Sequence, residues 1–114
     1  MQTGLNHDDY VKSVRARVAD LARGMISGDV PFLEGSIELA SLRFEADVTS
    51  DDADFLTFVA IESDIDHLPI GRVRDHWDPA AAAALEPEIA LATAWAKGIG
   101  LPACASLLAR YSTT

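Results

Sequence analysis

The fold of this chain depends on residues 42–61, LRFEADVTSDDADFLTFVAI, which fit two different secondary structures. In the first half, apolar residues occupy every second position from Leu42 to Val48, an alternation typical of a strand. The run 55–61 is rich in aromatic and β-branched residues and would suit a partner strand. This pattern predicts a central β-hairpin at 41–62.

The same stretch also carries the signals of a helix. Ser50 and Asp51 are good N-caps, and Phe55, Phe58 and Val59 recur at helical spacing behind a turn that is rich in acids. A lone two-stranded hairpin is marginally stable in water and leaves its edges uncovered. We therefore favour a helix here and keep the hairpin as the alternative.

Upstream of this stretch, apolar residues recur at spacings of three and four, as on one face of a helix. The first helix is predicted between Asp8 and Gly28, with Asp8 or Asp9 as its cap and Gly28 as its end. A second helix is predicted to open at residues 29–31, DVP, and to extend its apolar stripe as far as Phe44.

Downstream, two proline-containing starts define the C-terminal half. Asp78-Pro79 begins a short alanine-rich helix, and Glu86-Pro87 begins another that is predicted to end at Gly98. Because Gly98, Gly100 and Pro102 are helix breakers, the residues from Cys104 to Tyr111 are predicted to form a separate last helix.

Length and composition agree with one folded domain over residues 1–114. With 114 residues, 49% of them apolar and 24% charged, the chain can bury one core. We predict an all-α fold of about five to six helices with a polar loop, residues 63–77, crossing the core. The single cysteine, Cys104, excludes an internal disulfide. The N-terminus lacks a signal-peptide pattern and no apolar run approaches ~20 residues, so we expect a cytoplasmic protein without a membrane partner.

Charge is the strongest global signal in the sequence. Nine basic and eighteen acidic residues give a net charge of −9, which argues against nucleic acid as a direct partner. No Lys or Arg lies between Arg43 and Arg72, and most of the net charge falls in that interval. It is either a solvated face that aids solubility or a docking face for a basic partner. The predicted docking residues are Glu45, Asp47, Asp51, Asp52, Asp54, Glu62 and Asp64.

The segment 63–77, SDIDHLPIGRVRDHW, repeats an Asp-His pair and can be interpreted as a metal site, a catalytic centre or a structural network. It matches no strong metal-ligand pattern, and no nucleophile elbow, phosphate-binding loop or dinucleotide motif occurs in the chain. We therefore predict no enzyme activity, no metal and no cofactor, and a network that ties the loop to the core. Its predicted members are Asp66, His67, Arg72, Arg74, Asp75, His76 and Trp77.

Residues 61–77 follow the pattern I-x-S-x-x-D-H-x-P-x-G-x-V-R-x-x-W. This pattern resembles the central signature of a family of small bacterial proteins that includes immunity proteins of contact-dependent growth inhibition systems. The likeness extends over most of the chain, through FLEG at 32–35, L-x-x-L-R at 39–43, D-F-x-x-F at 54–58 and E-I-A at 88–90. The family usually has Glu-Thr before the Asp-His pair, where this chain has Asp64 and Ile65.

The resemblance implies a cytosolic protein that binds the toxic C-terminal domain of a large secreted effector. Such toxins are often nucleases, whose phosphate-binding surfaces are basic, so the acidic segment would dock there and block the toxin without turnover. Two alternatives stay open. One is a small metal-dependent hydrolase that uses His67 and His76, and the other is a regulatory subunit with an endogenous partner.

Overall fold

The computed structural model describes residues 6–112, which form five α-helices and one 3₁₀ helix. In chain order these are α1 His7–Ser27, α2 Phe32–Leu42, α3 Ala53–Ile65, the 3₁₀ helix Gly71–His76, α4 Pro79–Ala84 and α5 Glu86–Tyr111. Residues 6–112 contain no strand. The predicted all-α single-domain fold is confirmed, and the hairpin considered at 41–62 does not form.

The core lies between the two long helices and the α2–α3 pair. Helix α5 packs along α1 on one side and along α3 on the other, while α2 packs against α3. The largest side chains of this core, among them Phe55, Phe58, Leu39 and Ile61, are almost completely buried. Burying each such side chain stabilises the fold by about 1.5–3 kcal/mol.

Helix α1 begins one residue before the predicted caps. The side chain of Asn6 accepts a hydrogen bond of 2.8 Å from the backbone N–H of Asp9, and Asp8 and Asp9 lie in the first turn. The prediction that Asp8 or Asp9 is the cap is therefore wrong, although both acids favour the positive end of the helix dipole. The predicted end is confirmed, because Gly28 adopts a left-handed conformation with φ of 91°.

A tight turn after α2 explains why the alternation of 42–48 does not produce a strand. The carbonyl of Leu42 accepts from the N–H groups of Glu45 and Ala46, both at 3.0 Å. Arg15 of α1 then donates to the carbonyls of Ala46, at 2.9 Å, and Asp47, at 3.2 Å. Asp47 adopts a left-handed conformation with φ of 58°, which reverses the chain direction.

Phe44 is not part of the α2 stripe, contrary to the prediction. Helix α2 ends at Leu42, and Phe44 is 78% exposed with the guanidinium of Arg43 over its ring. Helix α3 is capped by Asp52, whose side chain accepts from the N–H of Phe55 at 3.3 Å, and not by Ser50 or Asp51. Both differences follow from the turn, which places Asp52 at the first free N–H groups of α3.

Helix α5 runs without interruption through the predicted break at Gly98, Gly100 and Pro102. Gly100 faces the Phe32 ring so closely that an added Cβ would lie 2.9 Å from it, so this glycine allows close packing. Proline inside a helix costs about 3 kcal/mol. Burial of Ala103, Cys104 and Leu107 immediately after Pro102 opposes that cost and keeps the helix continuous.

The segment 63–77 is attached to the core by apolar residues. Leu68 and Pro69 are buried, whereas none of the residues Gly71–His76 in the 3₁₀ helix is. Together with Ile65, the segment thus places three apolar side chains in the core and keeps its charged side chains in water, which avoids the cost of burying them. This arrangement differs from the expected polar loop across the core.

Candidate protein-binding surface

Two of the seven predicted docking acids, Asp52 and Asp54, are clamped by Arg110 near the end of α5. Arg110 donates from Nη1 to Asp52 Oδ1 at 3.0 Å and from Nη2 to Asp52 Oδ2 at 2.7 Å. It also donates from Nη1 to Asp54 Oδ2 at 3.0 Å, and Ser106 donates to the same oxygen at 2.6 Å. These acids join the start of α3 to the end of α5 and are largely withdrawn from solvent.

The pKa shifts at this clamp agree with its geometry. The hydrogen bonds from Arg110 lower the pKa of the Asp52 carboxyl, against the opposing effect of burial, and the cap bond from the Phe55 N–H lowers it further. The pKa of the Arg110 guanidinium is raised in turn by its hydrogen bonds to Asp52. Both groups are charged at neutral pH, so Asp52 is a structural ion as well as the cap of α3.

Two further acids are held loosely at the same end of α3. Glu45 accepts a hydrogen bond from the Tyr10 hydroxyl, and Asp47 lies 4.0 Å from the His7 ring. Both carboxylates remain exposed, and Asp51 beside them has no side-chain ion-pair partner within residues 6–112. These three acids can therefore still contribute negative charge to a partner.

Glu62 and Asp64 lie at the opposite end of α3, in its last turn, and Asp66 is the C-cap residue. We call Glu62, Asp64 and Asp66 the terminal acidic patch, a name that refers to their shared position at the C-terminal end of α3, since helix residues two apart do not share a face. Asp64 and Asp66 are exposed and Glu62 is half-buried. None of the three has an ion-pair partner in the part of the chain that the structure describes. The seven predicted acids thus form two groups, one at each end of α3, a helix about 20 Å long.

The last turn of α3 is an unfavourable place for these acids. The C-terminal end of a helix carries partial negative charge, and cations there are stabilising whereas anions are not. This turn holds no basic residue. Each acid costs the helix up to about 1 kcal/mol at low ionic strength, so packing and capping do not explain their presence.

Two of the seven predicted network residues contact carboxylates at the start of α5. The His67 ring nitrogen Nε2 lies 2.6 Å from Glu88, and Arg74 Nη2 lies 2.5 Å from Glu86. Glu86 and Glu88 also favour the positive N-terminal end of α5. These contacts connect the segment 63–77 to α5 at the surface, since all four side chains are about half-exposed.

The other five residues of the predicted structural network lie apart from these two contacts. Asp66, Arg72, Asp75 and His76 have no ion-pair partner within residues 6–112. All four are exposed to solvent. Trp77 is half-buried, and its backbone N–H donates to the carbonyl of Arg74. The structure therefore brings together His67 with Glu88 and Arg74 with Glu86, and does not join the seven into one network.

The two histidines of the repeated Asp-His pairs lie in different surroundings. Within residues 6–112, no three side chains of His, Cys, Asp or Glu lie together in a way that could hold a metal ion. His67 lies four residues before the 3₁₀ helix and contacts Glu88, whereas His76 is the last residue of that helix.

By length and composition alone, one helix within residues 6–112, α5, could cross a membrane. The core helices of soluble proteins pass the same test. Helix α5 packs against α1, α2 and α3, and its buried residues belong to the common core. We therefore describe α5 as a helix of this globule.

Comparison of the chain with protein families, with curated proteins and with solved structures gives no significant match.

Sequence patterns miss the residues that act over long separations. Arg110 lies 58 residues from Asp52, and Arg15 lies 31 residues from Ala46, so no local spacing connects them. The Asp-His pair places Asp66 in the predicted structural network. In the structure Asp66 is the C-cap residue of α3, and this position places it with Glu62 and Asp64 instead.

Proposed function

We propose that this protein is an immunity protein that binds and neutralises the toxic C-terminal domain of a contact-dependent growth inhibition effector. The terminal acidic patch is the observation that carries the proposal. It consists of carboxylates that reduce the stability of α3, with no ion-pair partner among the described residues. Residues kept at a cost to stability are candidates for function.

The fold itself accounts for most other acids near α3 and α5. Asp52 and Asp54 bind Arg110, whereas Glu86 and Glu88 pair with Arg74 and His67. A partner that covers both remaining acidic groups would lie along the length of α3. Two groups of acids therefore remain available for docking. One is the terminal acidic patch, and the other, at the opposite end of α3, consists of Glu45, Asp47 and Asp51.

The partner is a basic domain of the nuclease type, because a surface that holds phosphates also attracts carboxylates. A surface with charge of one sign raises the association rate and disfavours partners of the same sign. Binding would exclude the nucleic acid substrate by occupying its surface, with no bond made or broken. This activity requires neither cofactor nor metal, and it fits a cytoplasmic protein that meets the toxin after synthesis or entry.

The test is co-expression with the toxic domain encoded directly upstream, followed by calorimetric titration of the purified partners at two salt concentrations. We expect the wild-type protein to rescue growth and to bind tightly at low salt. Asp64→Lys should weaken binding by about tenfold or more, mainly through slower association. Asp29→Lys changes the net charge equally at an exposed loop residue and should have little effect.

Three other outcomes are informative. Failure to rescue growth together with failure to bind would refute the proposal. Equal weakening by Asp64→Lys and Asp29→Lys would assign the effect to net charge and not to the terminal acidic patch. Tight binding that does not respond to salt would place the contact on an apolar surface of the protein.

A further inference from the structure

An apolar strip is exposed along the outer side of α5. Leu91, Trp95 and Ile99 are 74%, 41% and 41% exposed and follow one another at a spacing of four residues. Small or uncharged residues that are also exposed separate them. We call the α5 outer face the set Leu91, Ala94, Trp95, Gly98, Ile99, Leu101, Pro102 and Ala105.

The α5 outer face is also free of negative charge. From Ile89 to Ser112 the sequence contains no Asp or Glu, although the chain has eighteen of them and a net charge of −9. The exposed bases on this part of α5 are Lys97 and Arg110. An exposed apolar strip bordered by charged residues marks an interaction surface.

We propose that the α5 outer face binds a second copy of this chain, in an antiparallel two-fold arrangement centred on Gly98. Charge is the reason for this choice of partner. Two copies that carry −9 each repel one another wherever their acids meet. Contact through the α5 outer face brings together the part of each molecule that has no acids.

The order of side chains along the helix is self-complementary about Gly98. In an antiparallel pair, residues at equal distances before and after the two-fold axis meet. Leu91 then faces Ala105 of the second copy, so a large side chain meets a small one. Trp95 lies at the same level as Leu101 of the second copy, on the other edge of the strip. Within residues 6–112 no atom lies within 4 Å of where a Cβ of Gly98 would be, so the second helix can approach closely there.

The same arrangement brings opposite charges together at its two ends. Glu88 lies ten residues before Gly98, and Arg110 lies twelve residues after it. Each Glu88 would therefore lie within about one helical turn of Arg110 in the second copy. Because each Arg110 already binds Asp52 and Asp54 of its own copy, this proximity can help to fix the register but adds little affinity.

The size of the strip predicts a moderate affinity. The α5 outer face is about 20 Å long and one helix wide. A standard stable interface buries ~800 Å² on each partner, which is more than one helix face offers. We therefore expect a dimer that forms and dissociates with concentration. It does not depend on the proposed immunity function.

The test is sedimentation equilibrium of the purified full chain over a range of concentrations up to about 1 mM. We expect a monomer–dimer equilibrium for the wild-type protein. Leu91→Glu should raise the dimer dissociation constant by about tenfold or more, because it places a charge in the apolar contact. Phe44→Glu is the matched control, since Phe44 is equally exposed but lies outside α5, and it should leave the constant unchanged.

A second measurement examines the register. Gly98→Cys should form a disulfide-linked dimer under mild oxidation, because the introduced thiols of the two copies would meet at the two-fold axis. Cys104 does not interfere, since burial raises the pKa of its thiol to about 12. Phe44→Cys is the control variant and should remain unlinked under the same conditions.

Each contrary result overturns the proposal. A wild-type protein that stays monomeric at all concentrations has no such dimer. Equal effects of Leu91→Glu and Phe44→Glu would place the contact on a different surface. A monomer that binds neutral phosphatidylcholine vesicles, and loses binding with Leu91→Glu, would show that the face meets a membrane surface instead.

Discussion

At the scale of single residues, the same type of side chain serves two different purposes on α3. Asp52 caps the start of the helix, and both Asp52 and Asp54 pair with Arg110, so they stabilise the fold. Asp64 and Asp66 at its end oppose the helix dipole and have no ion-pair partner among the described residues. The sequence places all four in one acidic segment, and only the position of each along the helix separates structural charge from docking charge.

Substitution of Asp52 separates its role as a cap from its role as an ion. Asp52→Asn keeps an oxygen that can accept from the Phe55 N–H but loses the charge, and should cost about 1–2 kcal/mol of unfolding free energy, because Arg110 is partly solvated. Asp52→Ala also removes the cap and should cost about 1 kcal/mol more. Chemical denaturation at neutral pH measures both differences.

The charge contribution of Asp52 should also depend on pH in a defined direction. Its pKa is lowered in the folded protein, so its stabilising effect is complete above the pKa of an unfolded aspartate, about 3.9. The effect is lost as the pH falls through the lower pKa of the folded state. The difference between wild type and Asp52→Asn should therefore shrink as the pH falls below about 4. A constant difference would contradict the assignment of Asp52 as a paired ion.

At the scale of helices, local signals predict starts and ends well where backbone chemistry alone decides them. Gly28 ends α1, Asp78 caps α4 through the Ala81 N–H, and Glu86-Pro87 opens α5. These local signals wrongly predict a helix end at Gly100 and Pro102, where packing against α1, α2 and α3 keeps the helix continuous. A glycine that breaks a helix and one that lets two helices approach closely have the same sequence appearance.

The two glycines of α5 therefore predict opposite results for one substitution. Gly100→Ala would place a Cβ 2.9 Å from the Phe32 ring and 3.3 Å from Ile61 Cδ1, so overpacking of about 1–3 kcal/mol should exceed the helix propensity gain of about 1 kcal/mol. Gly98→Ala meets no atom of the described residues within 4 Å and should stabilise the protein by about 0.5–1 kcal/mol. Thermal unfolding of both variants, at concentrations where the chain is monomeric, gives the comparison. Equal shifts would contradict the close packing at Gly100.

At the scale of the whole molecule, helical spacing predicts the all-α class and the sequence shows which segment holds the charge, but neither predicts how that charge is arranged in the fold. The acidic interval 44–71 is one block in sequence. In the fold α3 divides it into two groups, and Arg110 neutralises part of one group from the other end of the chain. The sequence does not separate the apolar outer face of α5 from the core, because helical spacing shows that a stripe exists but not whether another helix covers it.

This distribution of charge predicts how salt affects stability. In a chain of net charge −9, added NaCl screens repulsion between exposed acids more than it weakens the partly buried clamp at Arg110. Unfolding free energy should therefore rise between low and moderate salt. Asp64→Lys should stabilise the protein at low salt by about 0.3–1 kcal/mol, since a cation suits the end of α3, and should reduce the gain from added salt.

Asp29→Lys again separates position from net charge. It changes the charge by the same amount in the exposed link between α1 and α2, so it should give a smaller stabilisation than Asp64→Lys. Urea denaturation of the three proteins at two NaCl concentrations measures these effects without any partner. If Asp64→Lys is no more stable than Asp29→Lys, the end of α3 carries no special cost, and the stability argument for the terminal acidic patch fails. If it is more stable and also binds the toxic domain less tightly, the same carboxylate weakens the fold and strengthens the contact, which is the relation that a docking residue at a helix end requires.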